Sequence, residues 1–402
     1  MDINVIKDNP IRVTTPVLMV SMFEKENLLD GINKDIDQAL DGAISRLIDE
    51  GEIKGSKGEL TLIHTFDRIG PSRILIIGLG KQENFDTNTI REAVGSACRF
   101  LRSKRITSIS TIAHGLGSPG IESSSSGQSI AEGTLLGLYK FSQYQVDHDS
   151  EPTIKDLAII ENKASEVEAL RNGVRVGRII ADGTCLTRDM SNEPANVMTP
   201  TRMSEIARQV ADSDGLDIEI LEQEDMESLG MGALLGVAKG SHQPPKLIVL
   251  KYTGDPEHPS DNLGFIGKGI TFDTGGISLK PAGGMENMKG DMTGGASVIG
   301  TMQAIARLKP KLNLTGIVPA TENMPGGEAQ RPGDVVRAMD GKTIEVINTD
   351  AEGRLVLSDA IVYARQNGIN RIVDIATLTG AIVVSLGKIC TGVMGNDQVL
   401  ID

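Results

Sequence analysis

Tryptophan is absent from the sequence, and aromatic residues make up only 3% of it. Any core must therefore be built from valine, isoleucine, leucine, alanine and methionine, within a hydrophobic content of 39%. Cysteine is scarce. Cys98, Cys185 and Cys390 are odd in number and widely spaced, which excludes a disulfide framework and a C-x-x-C zinc site, and makes buried, reduced thiols the expectation. Positive charge is in deficit, with a formal net charge of −14 and a pI of about 5.0. That disfavours the broad basic surface of a non-specific nucleic-acid binder, while leaving room for a local basic patch. No apolar run reaches the ~18 residues of a membrane span. The N-terminus, MDINVIKDNP, has neither a basic n-region nor an apolar h-region. A cytoplasmic protein without a signal peptide or membrane segment is the expectation. No internal repeat of fixed period is present.

Glycine, by contrast, is plentiful: 46 residues, above the usual ~7%, and concentrated in 264–295. The length, 402 residues, suits two or three domains. Over 1–160, apolar or β-branched runs at 11–20, 60–64, 73–78, 106–113 and 157–160 alternate with helical patterns such as 92–101, predicting an N-terminal mixed α/β domain. SPGIESSSSGQS (118–129) reads as a polar, low-complexity loop. GLG at 78–80 lacks the third glycine of a dinucleotide fingerprint, so no cofactor is expected there. A helical pattern over 161–190 predicts a connecting helix, and two prolines in SNEPANVMTP (191–200) mark entry to a second domain. In 191–402, strands at 217–221, 246–252, 263–268, 312–318, 343–347 and 371–375 and helices at 297–308 and 353–367 predict a largely parallel α/β sheet covered on both faces.

Two stretches carry chemistry. NTDAEGRL (348–355) places Asp350, Glu352 and Arg354 two residues apart, on one side of an extended segment. Thr349 and Glu352 also spell a capping box for the helix that follows, and on this octapeptide alone the cap is the better reading. GKGITFDTGGISLKPAGGMENMKGDMTGG (267–295) follows a strand, at the edge where open α/β sheets bind ligands. It holds Lys268, Asp273, Lys280 and Asp291. Its lysines read equally as solvated surface groups, and Asp291 as a helix cap. Its single D-T-G is not the pair that an aspartic protease requires. If 343–347 and 263–268 are parallel members of one sheet, the two stretches meet. Asp273, Asp291, Asp350 and Glu352 would then repel strongly without cations, and their charge balances two divalent ions, the composition of a two-metal hydrolytic site. An all-oxygen set suits Mg2+ or Mn2+ and tolerates Zn2+.

Together these stretches resemble the signature of the leucyl aminopeptidase (cytosol aminopeptidase) family of dinuclear-metal exopeptidases. NTDAEGRL is that family's octapeptide without a change, and the blocks G-K-G-[IL]-T-F-D-[ST]-G-G-x-x-x-K and D-M-x-G-G are intact. Weaker similarity lies in N-x-P-x-N-x-x-T-P (192–200) and DIATLTGA (374–381). The resemblance covers most of 165–402 and is thin over 1–160. It implies that Asp273 and Glu352 bridge two metal ions, that Asp350 completes one site, and that Lys268 and Asp291 complete the other. A lysine ligand has to be neutral, far below its ordinary pKa of ~10.4, and two adjacent dications supply the field for that. The resemblance further makes Lys280 the catalytic group that stabilises the developing oxyanion. Arg354 becomes the seat of a bicarbonate general base, and Met288, Thr377 and Gly380 the lining of the first side chain's pocket. It implies short peptides with a free N-terminus as substrates, and a homohexamer. Against the family's usual length the chain stops short at Asp402, so a truncated catalytic domain with an unpaired sheet edge and exposed apolar faces is the expectation. Two other readings keep the same fold: a DNA-binding accessory protein, and a non-catalytic subunit.

Overall fold

The computed structural model describes residues 1–25, 31–146 and 153–402. The chain divides into two compact units, Met1–Cys185 and Leu186–Asp402. In the first, six strands, β1 (Asp2–Lys7), β2 (Leu18–Met22), β3 (Leu60–His64), β4 (Arg73–Gly78), β5 (Ser108–Ile112) and β6 (Asp156–Glu161), lie in the order β1-β6-β5-β2-β4-β3. All neighbours are parallel except β3, which returns antiparallel on β4. The helices are α1 (Gly31–Ala39), α2 (Ala43–Asp49), α3 (Thr87–Ser103), α4 (Ser123–Leu138) and α5 (Ala164–Asn192), the last running past the division between the units. The continuous apolar run of β4 is what a strand covered on both faces requires. Its side chains alternate between two cores: Leu75 and Ile77 enter one with α3 and α4, while Ile74 and Ile76 enter the other with α1 and α2.

The second unit contains β7 (Asp217–Leu221), β8 (Lys246–Thr253), β9 (Asn262–Gly267), β10 (Gly269–Asp273), β11 (Asn313–Asn323), β12 (Val335–Arg337), β13 (Thr343–Glu345) and β14 (Arg371–Ile375). Its helices are α6 (Pro200–Asp214), α7 (Gln223–Ser228), α8 (Gly232–Ala238), α9 (Thr293–Leu308), α10 (Glu352–Gln366), α11 (Ala381–Leu386) and α12 (Gln398–Ile401). The sheet order is β14-β9-β11-β8-β7, with β10 also on β11. Only β8 runs against the others, so the sheet is largely parallel. Along β8, Leu247 and Val249 face the core under α8 and α10, and Ile248 and Leu250 the core under α6 and α9. After β14 little is packed: Val384, Ile389, Met394 and Val399 are exposed.

Several expectations need correction. The stretch 118–129 is not a loop throughout, because α4 begins at Ser123. Its small residues are a helix contact face. A Cβ on Gly127 would lie 2.5 Å from Leu170 O of α5, and one on Gly133 2.6 Å from Arg91 O of α3. The strand at 343–347 is not a member of the central sheet. β13 forms a two-stranded antiparallel ribbon with β12, and its short, alternating T-I-E lacks the apolar run of a doubly covered strand. The thiols also differ from one another. Cys98 is buried and its pKa pushed up to about 12 by burial, whereas Cys390 is exposed.

Candidate metal centre

The centre forms where β9 gives way to β10. Both strands run parallel along the long β11, and Lys268 occupies the one position between them. There its backbone turns to other partners: its N–H donates to Ile375 O at 3.0 Å, and its carbonyl accepts from Gly295 N at 2.7 Å. Its side chain passes beneath the first turn of α10. A Cβ on Gly353 would stand 2.9 Å from Lys268 Cε, so glycine leaves room for the lysine.

Lys268 Nζ lies 2.8 Å from Asp291 Oδ2 and 2.7 Å from Glu352 Oε1, and donates to Thr377 O at 3.3 Å. Lys268 and Glu352 are each 2% exposed. Asp273 ends β10, Asp291 sits near the end of a 3-10 turn spanning Met285–Met292, and Glu352 opens α10. Asp273, Asp291 and Glu352 bring carboxylate oxygens within 4.8 Å of one another. On the more open side, Lys280 Nζ joins Asp273 Oδ2 at 2.9 Å to Asp350 Oδ1 at 2.5 Å. Thr377 Oγ1 donates to Asp291 Oδ1 at 2.8 Å.

Four carboxylates thus face two ammonium groups, a formal excess of two negative charges. Burial pushes the Asp291 carboxyl up to about 7 despite the pull of Lys268, and raises Glu352 in the same sense. Burial works to lower the Lys268 pKa, but the charges of Asp291 and Glu352 outweigh it and hold the group above its ordinary value. Lys280 follows the same pattern with Asp350 and Asp273, and also stands above its ordinary value. Buried polar atoms normally find partners. Glu352 Oε2 has no hydrogen-bond partner among the described residues, and Asp291 Oδ2 and Asp350 Oδ1 meet only their ammonium neighbours, without hydrogen-bond geometry. An oxygen-rich, over-negative cluster with an orphaned buried carboxylate oxygen fits divalent cations.

The structure therefore brings together Lys268, Asp273, Lys280, Asp291, Asp350, Glu352 and Thr377. Met288 is half-buried in the 3-10 turn, and Gly380 is exposed just before α11. Neither makes a polar contact with the cluster. Arg354, in the first turn of α10, is exposed and makes no ion pair with a described residue. Three local readings of NTDAEGRL are overturned. The octapeptide does not continue a sheet strand, for the reason given above. Glu352 and Arg354 are helical rather than extended, so Asp350, Glu352 and Arg354 do not share one face of a strand. There is no capping box: Ala351 is the N-cap and contributes no side-chain bond. Thr349 is instead buried, its hydroxyl accepting from Ser278 N at 2.8 Å and donating to Gly275 O at 2.7 Å. Asn323, at the end of β11 beside Asp273, is part of the same network and was not legible in the sequence, because β11 runs five residues past the predicted end of that strand at 318.

Known proteins share this architecture. The cytosol aminopeptidase family's catalytic-domain profile matches residues 185–402, and its N-terminal-domain profile matches 19–147. A curated relative from Alkaliphilus metalliredigens, named a probable cytosol aminopeptidase, is 44% identical over 400 residues, which is 99% of this chain and 80% of the relative. A protein of the same name from Solibacter usitatus is 46% identical over 360 residues, 89% of this chain and 72% of its own. Among solved structures, a variant of tomato leucine aminopeptidase matches with a TM-score of 0.85 and 30% identity, over 96% of this chain and 75% of that one. The bottromycin maturation enzyme BotP, in complex with Mn, matches with a TM-score of 0.78 and 34% identity, over 93% and 75%. Fold, motif and sequence agree along nearly the whole length, and the chain belongs to the cytosol aminopeptidase family: it is a metal-dependent aminopeptidase.

Proposed function

We propose that the chain removes N-terminal residues, leucine and other apolar ones preferentially, from short peptides at a centre holding two divalent cations, with Mn2+, Zn2+ and Mg2+ as the candidates. The observation that carries this reading is the buried cluster of Asp273, Asp291 and Glu352 around Lys268, with its surplus of negative charge and its orphaned Glu352 oxygen. Asp273, Asp291, Asp350 and Glu352, together with Lys268, would hold the two ions. When bound, the ions would supply Lewis acidity and an activated water, and their field would favour the neutral form of Lys268.

The remaining work falls to the chain's own groups. Lys280 is held on the open side by Asp273 and Asp350 and keeps its proton. Its ammonium would stabilise the charge that develops on the carbonyl oxygen. Arg354 keeps its guanidinium exposed and without an ion pair to any described residue, which suits a bound bicarbonate acting as general base. Met288, Thr377 and Gly380 would line the pocket for the first side chain; Thr377 is already tied to Asp291. Assembly as a homohexamer is part of the same reading, with light scattering as its check.

Release of leucine from a leucyl amide in Mn2+- or Zn2+-supplemented buffer tests the proposal. Lys280→Met is expected to lower kcat by roughly 10²–10³, as loss of one oxyanion donor does, and an N-acetylated peptide is expected to resist cleavage. Equal turnover of acetylated and free peptides would sink the exopeptidase reading, and an undiminished Lys280→Met enzyme the role of Lys280.

A further inference from the structure

β11 ends on Asn323, a carboxamide 2% exposed. Its Nδ2 donates twice, to Asp273 Oδ1 at 2.8 Å and to Thr349 O at 3.0 Å. One amide thus touches both halves of the carboxylate cluster: Asp273 itself, and the peptide unit that leads directly into Asp350. The backbone carbonyl of Asn323 accepts from Thr274 N at 2.9 Å and Thr274 Oγ1 at 2.8 Å, which anchors it to the end of β10. Thr349 closes the ring. Its hydroxyl bridges Ser278 N and Gly275 O, and its N–H donates to Ser278 Oγ at 3.2 Å. Gly276 lies at φ +66°, and a Cβ there would stand 2.8 Å from Asn323 Oδ1. A glycine at 276 is thus needed both for that backbone and for the amide's approach.

The consequence lies in which oxygen of Asp273 is free. Oδ1 accepts two N–H groups, from Asn323 and from Gly275 at 2.9 Å. Oδ2 is left toward the open side, where Lys280 meets it. We infer that Asn323 is a positioning residue: it sets the rotation of the Asp273 carboxylate and, through Thr349 and Ser278, fixes the Asp350-bearing segment against it, so that the two motifs form one cation centre. This rests on the metal reading above. An amide is the group the place requires. It offers two donors, one for each segment, where an aspartate would turn acceptors toward a carboxylate and a carbonyl.

The test is Mn2+ affinity of the full chain by equilibrium dialysis, with folding monitored by circular dichroism. Asn323→Asp and Asn323→Leu are close in size and both lack the donors. Partners that orient a ligand typically change metal affinity by roughly 10–100-fold when lost, so both variants are expected to bind Mn2+ at least tenfold more weakly than the parent. Agreement between the two assigns the loss to the missing donors rather than to added charge. Ser278→Ala removes the acceptor for Thr349 N–H without touching a proposed ligand. It is expected to weaken binding by at least threefold even if the Asn323 variants fail to fold. Parent-like affinity in folded Asn323 variants, or in Ser278→Ala, overturns the inference. A parent chain that binds no Mn2+ overturns instead the metal reading beneath it.

Discussion

His114 shows how far one buried side chain can couple this chain to pH. It is 1% exposed, with Nε2 2.8 Å from Thr111 Oγ1 and Nδ1 3.1 Å from Ser21 Oγ. Thr111 donates its hydroxyl proton to Ile112 O, so it accepts from Nε2–H, which leaves Nδ1 to accept from Ser21. Burial lowers the His114 pKa to about 4. A depressed folded-state pKa gives stability that is present above the unfolded value, near 6.5, and is lost as pH falls toward 4, because the unfolded state takes up the proton first. The shift corresponds to about 3 kcal/mol. Urea unfolding of residues 1–185, followed in the full chain by hydrogen exchange, should show that loss between neutral pH and pH 4.5. His114→Gln should remove most of the dependence, and an unchanged pH slope in the variant would count against it. At the metal centre the sequence spoke for residue types but not for their surroundings. Lys268 read equally as a surface lysine; its 2% exposure follows from the break between two strands on one partner. Thr349 obeyed a capping rule on paper, yet its hydroxyl found stronger tertiary partners in Ser278 and Gly275.

At the scale of elements, α10 matters because it delivers Glu352, and Asp359 fixes where α10 lies. That side chain is fully buried. Its Oδ2 accepts from Ala233 N at 3.0 Å and Leu234 N at 2.9 Å, and its Oδ1 from Met339 N at 2.9 Å. It thereby serves as the N-terminal cap that α8 lacks, since Met231 supplies no side-chain bond. Asp359→Ala strands three N–H groups, two of them buried and that of Met339 partly so, at about 1–3 kcal/mol for each buried one. Urea denaturation should therefore register a loss of about 3 kcal/mol or more, with Asp359→Asn recovering part of it; a loss below about 1 kcal/mol for the alanine variant would contradict this. The strands with long apolar runs, β4, β8, β9 and β11, were readable because burial on two faces demands such runs. α4 was not, since its serines and glycines are the composition of a loop, and only the close approach of α3 and α5 gives them a packing role. β13 misled in the opposite sense: its branched residues suggested a sheet member, but register and exposure place it in a ribbon with β12.

For the whole molecule, each unit carries its own sheet and two cores, and the proposed ligands all belong to Leu186–Asp402. The sequence made that assignment readable because Lys268, Asp273, Asp291, Asp350 and Glu352 fall in two short stretches. It did not reveal the means of joining them, which is a carboxamide on a third strand and a ribbon outside the sheet. Among the described residues no helix is long and apolar enough to cross a membrane. The central claim is that these stretches make one centre for two cations, and counting bound Mn2+ per chain by equilibrium dialysis tests it most directly. The account predicts two ions for the parent, one for Asp350→Asn, and loss of tight binding for Glu352→Gln. A parent that binds none, or an Asp350→Asn chain that still binds two, would contradict it.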